Sequence, residues 1–210
     1  MKSGIVLAGG KSQRFGKNKA LVDLHGKPLV KWVIEALDCV VDEVLLSLSY
    51  ASDLLEFREI VDEKVIIVKD IKPNLGPISG LLSSLKKVKG EYSAVAPCDS
   101  PFIRPELYTI LFEKAKGYDG AVPFLNDYWE PLHAVYKRDT FLISLEKVLS
   151  LGKKRPVDTY QYLDIQKIRQ KEVKVADPNL FTFFNINTKN DLAKAEKIIE
   201  SEIQNTNPKR

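Results

Sequence analysis

Along the first half of the chain, short apolar runs take turns with stretches whose apolar residues recur every three or four positions. The run at residues 5–8 is unbroken, and further strand-like runs lie at 43–48, 64–68 and 92–96. Continuous rather than alternating hydrophobicity suits parallel strands covered on both faces. Between them, Leu29, Trp32, Val33, Ala36, Leu37 and Val40 fall on one helical face after Pro28, a residue suited to starting a helix. Ile78, Leu81, Leu82, Leu85 and Val88 form a second stripe after Pro77, and Leu107, Ile110, Leu111 and Ala115 a third within 105–116. A shorter helix is expected from Ser52 or Asp53 to Val61, and a short extended piece at 20–24, turned by His25 and Gly26. This order predicts an α/β fold, a mostly parallel central sheet with helices on both faces.

The second half is less regular. Strands are expected at 120–124, 132–137 and 172–175, a helix at 141–151 and a helical turn at 157–163. Residues 180–186 are apolar and aromatic, interrupted by Asn185. Thr188 is placed to cap a last helix, with Leu192, Ala195, Ile199 and Ile203 on one side. The tail from 205 to 210 is polar.

Composition narrows the class. The chain has 210 residues, 44% hydrophobic and 29% charged, enough for one domain with a packed core. A net charge of +4, scattered rather than clustered, suits an anionic ligand better than nucleic acid. Two cysteines without a CxxC spacing point to a reducing compartment. The apolar run after Lys2 ends at Gly9, too short for the core of a signal peptide. No stretch reaches the ~20 apolar residues that span a bilayer. The expectation is a soluble cytoplasmic protein without a membrane partner.

The candidate chemistry gathers where the predicted parallel strands end, the usual ligand side of such sheets. After the first strand, Gly9 and Gly10 are followed by Lys11, Arg14, Lys17 and Lys19. Glycines admit oxygens to backbone N–H groups and the cations neutralise them, so the loop reads as a phosphate cradle or as a solvated basic loop. It is not a P-loop, because five residues separate Gly10 from Gly16 and Lys17 precedes Asn18. Adjacent glycines also rule out GxGxxG. Asp99, in a proline-flanked turn, suits either Mg²⁺ or a turn. Asp70 either accepts two hydrogen bonds from a guanine edge or is a solvated loop residue. Gly76, Pro77 and Gly80 read as a bare helix N-terminus or as turn chemistry. The basic triplet at 153–155 reads as a phosphate contact or a solvated face. Asn185 and Asn187 pair with backbone or ligand. His25 and His133 show neither metal spacing nor a nucleophile partner.

Leu7, Ala8, Gly9 and Gly10, followed by Arg14, Gly16 and Lys19, resemble the signature of the MobA-like nucleotidyltransferases. The patches at 76–80, 97–101, 130–132, 152–155 and 184–188 are similar, more narrowly, to the MobA-type molybdenum cofactor guanylyltransferases. The resemblance spans residues 4–195. It implies a Rossmann-like nucleotidyltransferase fold. With no internal repeat, low-complexity tract or clear linker, one domain is expected over 1–204, with a nucleotide-binding half at 1–100 and an acceptor-binding half at 101–204. The resemblance also implies transfer of GMP from GTP to molybdenum-loaded molybdopterin, with Mg²⁺ as cofactor. Transient contact with proteins that deliver molybdopterin or receive the product goes with it. Leu7, Ala8, Gly9, Gly10, Lys19, Asp70 and Asp99 would bind GTP, and Arg14, Lys19 and Asp99 would be catalytic, with Asp99 holding the metal. Gly76, Pro77, Gly80, Asn185 and Asn187 would face the acceptor. One departure stands out: Ser47-Leu48-Ser49 occupies a place where many relatives carry Asn-x-Asn. Two alternatives remain: transfer to another phosphate or alcohol such as cobinamide phosphate, and nucleotide binding without turnover. The later patches argue against the first; Arg14, Lys19 and Asp99 argue against the second.

Overall fold

The computed structural model describes residues 1–9, 18–70 and 75–206. Four parallel strands form the centre: β1 (Lys2–Ala8), β4 (Glu43–Leu48), β5 (Ile66–Lys69) and β6 (Tyr92–Pro97). The chain steps outward from β1 to β4 and β5, then returns to lay β6 on the other side of β1. That reversal makes the carboxyl end of β1 a topological switch point, where open α/β sheets bind ligands. Beyond β6 lie the antiparallel β9 (Ala134–Lys137), then β7 (Gly120–Leu125) and the edge strand β10 (Ile165–Arg169), parallel to β7. A two-residue strand, β8 (Tyr128–Trp129), folds back on β7 through Asn126 and Asp127. Both turn residues have positive φ, as a type I′ hairpin turn demands. A separate small hairpin pairs β2 (Asp23–Leu24) with β3 (Lys27–Pro28).

The alternation of side chains along each strand divides the core. Val6, Leu46 and Ala94 point to one face, covered by α1 (Leu29–Asp38), α2 (Leu54–Arg58), α4 (Pro105–Ala115) and α6 (Gln170–Ala176). Ile5, Leu45 and Val95 point to the other, covered by α3 (Pro77–Leu85) and α5 (Arg138–Ser150). A strand sandwiched this way has no solvated face, which is why its sequence does not alternate. Among the described residues, no helix is long and apolar enough to cross a membrane.

Three local expectations change. Residues 20–24 divide into a 3₁₀ turn at Lys19–Leu21 and one arm of the hairpin, whose turn at His25 and Gly26 has positive φ at both residues. Pro28 both ends β3 and stands at the N-cap of α1, with an extended ψ of 142°, so the helix proper begins one residue later, at Leu29. Residues 172–175 are helical, not a strand, and the edge strand comes earlier, at Ile165–Arg169. The Glu172 carboxylate accepts from the Arg169 backbone N–H at 3.1 Å, capping α6, and only Val173 of that helix is fully buried. The alternation Glu-Val-Lys-Val imitates a strand, but one inward valine per turn of helix is enough.

A third, smaller cluster positions the site. Val22, Leu24, Leu29, Phe102, Ile186, Ala195 and Ile199 pack together, drawing α7 (Lys189–Thr206) and the segment before it onto the turn after β6. Phe102 meets Phe181 and Phe184 at centroid distances of 6.2 and 6.0 Å. The Ile186 N–H donates to the Asp99 carbonyl at 2.9 Å. Ile203 and residues 207–210 lie outside the described side chains and residues, respectively.

The start of α7 closes as a capping box. Asp191 accepts from the Thr188 N–H and hydroxyl, both at 2.9 Å, and the Asp191 N–H donates to Thr188 Oγ1 at 3.2 Å. Thr188→Ala is expected to lower stability by about 1 kcal/mol, a melting shift of about 2–4 °C by calorimetry. The Thr188 hydroxyl holds the Asp191 carboxyl below its ordinary 3.8. The part that runs through this carboxylate is therefore complete above that value and lost as pH falls through the depressed one, so the gap between wild type and variant narrows in acid, leaving the bond from the Asp191 N–H to Thr188 Oγ1.

Candidate active site

The parallel strands and α3 leave a cleft at the carboxyl end of the sheet, with Gly9 among its lining residues. Lys19 enters it from the 3₁₀ turn, which Asn18 caps by accepting from the Ala20 N–H at 3.2 Å. The Lys19 ammonium pairs with Asp99 Oδ2 and donates to Asn187 Oδ1 at 2.7 Å. Both members of the ion pair keep some solvent exposure, 15% for Lys19 and 22% for Asp99. A ligand can therefore reach them. Three distant pieces of chain meet here: the turn after β1, the turn after β6 and the segment before α7.

Across the cleft sits Asp70, whose N–H donates to the Leu48 carbonyl at 2.9 Å and so continues β5 past its last strand residue. Ser47 Oγ donates to Asp70 Oδ1 at 3.3 Å, and the Ser79 hydroxyl also hydrogen-bonds this carboxylate. Burial nonetheless pushes the Asp70 carboxyl above the usual range, outweighing both hydroxyls. Such a group gains by meeting N–H donors.

Two glycines of α3 shape this wall for different reasons. Gly76 caps the helix with φ 62° and ψ −152°, a conformation nearly exclusive to glycine, although a Cβ there would meet nothing within 4 Å. Gly80 is required for space: a Cβ would lie 2.5 Å from Ser47 Oγ and 3.3 Å from Asp70 Oδ1. Pro77 occupies the first helical position and the N-cap offers no side chain, so Gly76, Pro77 and Gly80 line the cleft uncapped, while the Ser79 N–H is taken by the Gly76 carbonyl at 3.2 Å.

The MobA-like NTP transferase domain matches residues 4–164, the stretch that supplies β1, Lys19, Asp70, α3 and Asp99. The chain belongs to the MobA-like NTP transferase family. It is a nucleotidyltransferase. A protein of Methanosarcina acetivorans named "Probable molybdenum cofactor guanylyltransferase" is 38% identical over 91% of this chain and 88% of its own length. "Molybdenum cofactor guanylyltransferase" of Desulfosudis oleivorans is 31% identical over 95% and 96%. Among solved structures, molybdopterin-guanine dinucleotide biosynthesis protein A of Archaeoglobus fulgidus superposes with a TM-score of 0.80 at 28% identity, covering 96% of this chain and all of its own.

Of the residues singled out in the sequence, Leu7, Ala8, Gly9, Lys19, Asp70, Gly76, Pro77, Gly80 and Asp99 line one cleft. Asn187 joins it through Lys19. Asn185 stands one step away, on Ser100. Gly10 and Arg14 lie outside the described residues, as do Lys11, Gly16 and Lys17. The basic triplet sits apart at the end of α5, where Arg155 pairs with Asp158 at 3.0 Å. Ser49 hydrogen-bonds Ser52 at 2.9 Å, so of the two serines in the departing element only Ser47 reaches Asp70.

A magnesium ion fits this donor set. Among the described residues no three His, Cys, Asp or Glu side chains come together. Mg²⁺ typically takes only one or two carboxylates and completes its shell with substrate phosphates and water. Asp99 supplies one hard oxygen donor beside the cleft.

Behind Asp99 lies a partly buried group that sequence reasoning did not assemble. Ser100 Oγ donates to Asn185 Oδ1 at 2.5 Å, and His133 Nε2 lies 3.0 Å from the same Oγ. His133 is 3% exposed, its ring 5.1 Å from that of Phe183, and Glu130 Oε2 stands 3.9 Å from Nδ1. The signal available was a histidine opening an apolar run just after Glu130-Pro131-Leu132, which spacing rules for metals do not register.

Proposed function

We propose that this nucleotidyltransferase transfers GMP from GTP to molybdenum-loaded molybdopterin, releasing pyrophosphate. The observation that carries the reading is the convergence of Lys19, Asp99 and Asn187 opposite Asp70 and the first turn of α3. The names of the relatives supply the acceptor. A terminal phosphate oxygen of molybdopterin attacks the α-phosphorus of GTP, and the bond from that phosphorus to the β-phosphate oxygen breaks. That oxygen is already ionised near neutral pH, so the protein's work is alignment and charge neutralisation. Asp99 would hold Mg²⁺, which when bound supplies Lewis-acid stabilisation of phosphate charge. Lys19, held by Asp99 and Asn187, lies ready to neutralise negative charge on the transferring phosphates. Residues 9–14 cradle the leaving phosphates in this reading. Asp70, opposite, accepts from the N1–H and 2-amino groups of guanine.

The deciding experiment offers purified protein GTP, ATP and CTP with molybdenum-loaded molybdopterin, and GTP with cobinamide phosphate. Dinucleotide product from GTP and the pterin is expected. Transfer to cobinamide phosphate alone, or nucleotide binding with no turnover, would replace this reading.

Gly80→Ala tests the wall. Alanine favours the helix by up to about 1 kcal/mol, which offsets crowding, so the melting point should change little. The new methyl displaces Ser47 and Asp70, and GTP affinity by titration calorimetry should weaken by about tenfold, the loss of roughly one charged hydrogen bond.

A further inference from the structure

We propose that His133, through the Ser100 hydroxyl, fixes Asn185 with its carbonyl inward and its NH₂ outward, so that Asn185 receives a hydrogen-bond-accepting oxygen of the acceptor substrate. The argument is a proton count. Ser100 has one hydroxyl proton and two polar neighbours, Asn185 Oδ1 at 2.5 Å and His133 Nε2 at 3.0 Å. The carbonyl oxygen of Asn185, not its NH₂, faces Ser100. An amide oxygen only accepts, so the serine proton is directed to it. His133 must then bring the proton on Nε2 and donate to Ser100 Oγ.

The rest of the ring's surroundings agree. Nδ1 is buried and, among the described residues, has no hydrogen-bond partner. Glu130 at 3.9 Å is beyond hydrogen-bond reach, so a proton on Nδ1 would find no acceptor. Burial lowers the His133 pKa to about 3, which leaves one ring proton at neutral pH. The Phe183 ring packs beside the imidazole, and Tyr136, bonded to the Pro131 carbonyl at 2.9 Å, anchors the segment that carries it.

The consequence is chemical polarity at the surface. Asn185 itself is exposed. With its oxygen held by Ser100, what it offers is two N–H donors, which suit a phosphate or carbonyl oxygen and not another donor. Its neighbour Asn187 likewise has its oxygen engaged by a protein donor, the Lys19 ammonium. The assignment of the partner to the acceptor rests on the proposed guanylyl transfer. The polarity does not.

Two measurements test it. Nitrogen-15 spectra of the histidines, with His133 assigned by comparison with His133→Gln, should show the Nε2–H tautomer in the free protein; an Nδ1–H tautomer overturns the polarity. Steady-state kinetics with GTP and molybdenum-loaded molybdopterin should show His133→Leu raising the KM for the pterin by about tenfold, with the KM for GTP unchanged. His133→Gln, whose amide nitrogen can take the place of Nε2–H, should restore it. Ser100→Ala breaks the same relay and should give the same split if the leucine variant folds poorly. Equal rises in both KM values, or none, overturn the positioning role. Failure of wild type to use the pterin counts against the proposed function instead, and the tautomer still decides the polarity.

Discussion

Asp99→Ala is expected to lose nucleotidyl transfer by about two to three orders of magnitude in kcat, the usual loss when one preorganised charge at a reacting phosphate or oxyanion is removed. The fold should survive. The backbone of this turn is held independently of the carboxylate, by the Cys98 N–H to the Leu7 carbonyl at 3.0 Å and by the Ile186 N–H to the Asp99 carbonyl at 2.9 Å. The Asp99 carboxylate is partly exposed, and its loss leaves Lys19 bonded to Asn187 rather than stranded. A thermal melt close to wild type with pyrophosphate release near background is therefore the expected pair of results. Lys19→Ala should also lower kcat, with Asp99 then deprived of its counter-charge. Removing both residues should cost less than the product of the single losses, because the two act as a unit. A wild-type rate from Asp99→Ala would remove both the metal assignment and the charge-neutralising role.

The architecture was legible because its physics is local. A strand covered on both faces is mostly apolar rather than alternating, and β1, β4 and β6 show it; β5, at the sheet edge, carries a short apolar run with only Val68 buried. An amphipathic helix must repeat its apolar positions, and α1, α3 and α4 do. Proline at the first turn marked α3 and α4 to the residue. What stayed illegible depends on partners far away in sequence. The edge strand at Ile165–Arg169 buries only Ile168 and needs β7 beside it to be a strand at all. The helix at Gln170–Ala176 imitates alternation and is decided by a cap.

The site divides the same way. Gly9, Lys19, Asp70 and Asp99 could be proposed because strand ends in a parallel sheet share one edge. That Lys19 would sit between Asp99 and Asn187, 168 positions away, could not be read from any window of sequence. Nor could the pairing of His133 with Ser100, 33 residues apart. The first depends on the cluster of Phe102, Ile186 and α7 that closes the C-terminal segment over the turn after β6, the second on the antiparallel pairing of β9 with β6.

Asp70→Asn should change which base the enzyme accepts and should do so while stabilising the empty protein. A carboxylate can accept from both N1–H and the 2-amino group of guanine. An amide presents one oxygen and one donor, and charged hydrogen bonds contribute about 1.5–3 kcal/mol each, so GTP should lose about 10- to 100-fold in kcat/KM. Discrimination against ITP, which lacks the 2-amino group, should shrink by a similar factor. Stability moves the other way. Burial raises the Asp70 carboxyl above its ordinary 3.8 in the folded state, so the favourable contribution of its neutral form is present in acid and lost as pH rises through the raised value. At neutral pH the wild type carries a half-buried charge that the asparagine variant does not. The ligand-free variant should melt above wild type at pH 7, and the gap should close as the pH is lowered. Saturating GTP restores the wild-type advantage, since a ligand at 100 times its Kd adds about 2.7 kcal/mol to the form that binds it. The order of melting points should therefore invert between empty and GTP-loaded protein. If Asp70→Asn melts lower without nucleotide, or discriminates GTP from ITP as wild type does, Asp70 is a structural carboxylate and the base is read elsewhere.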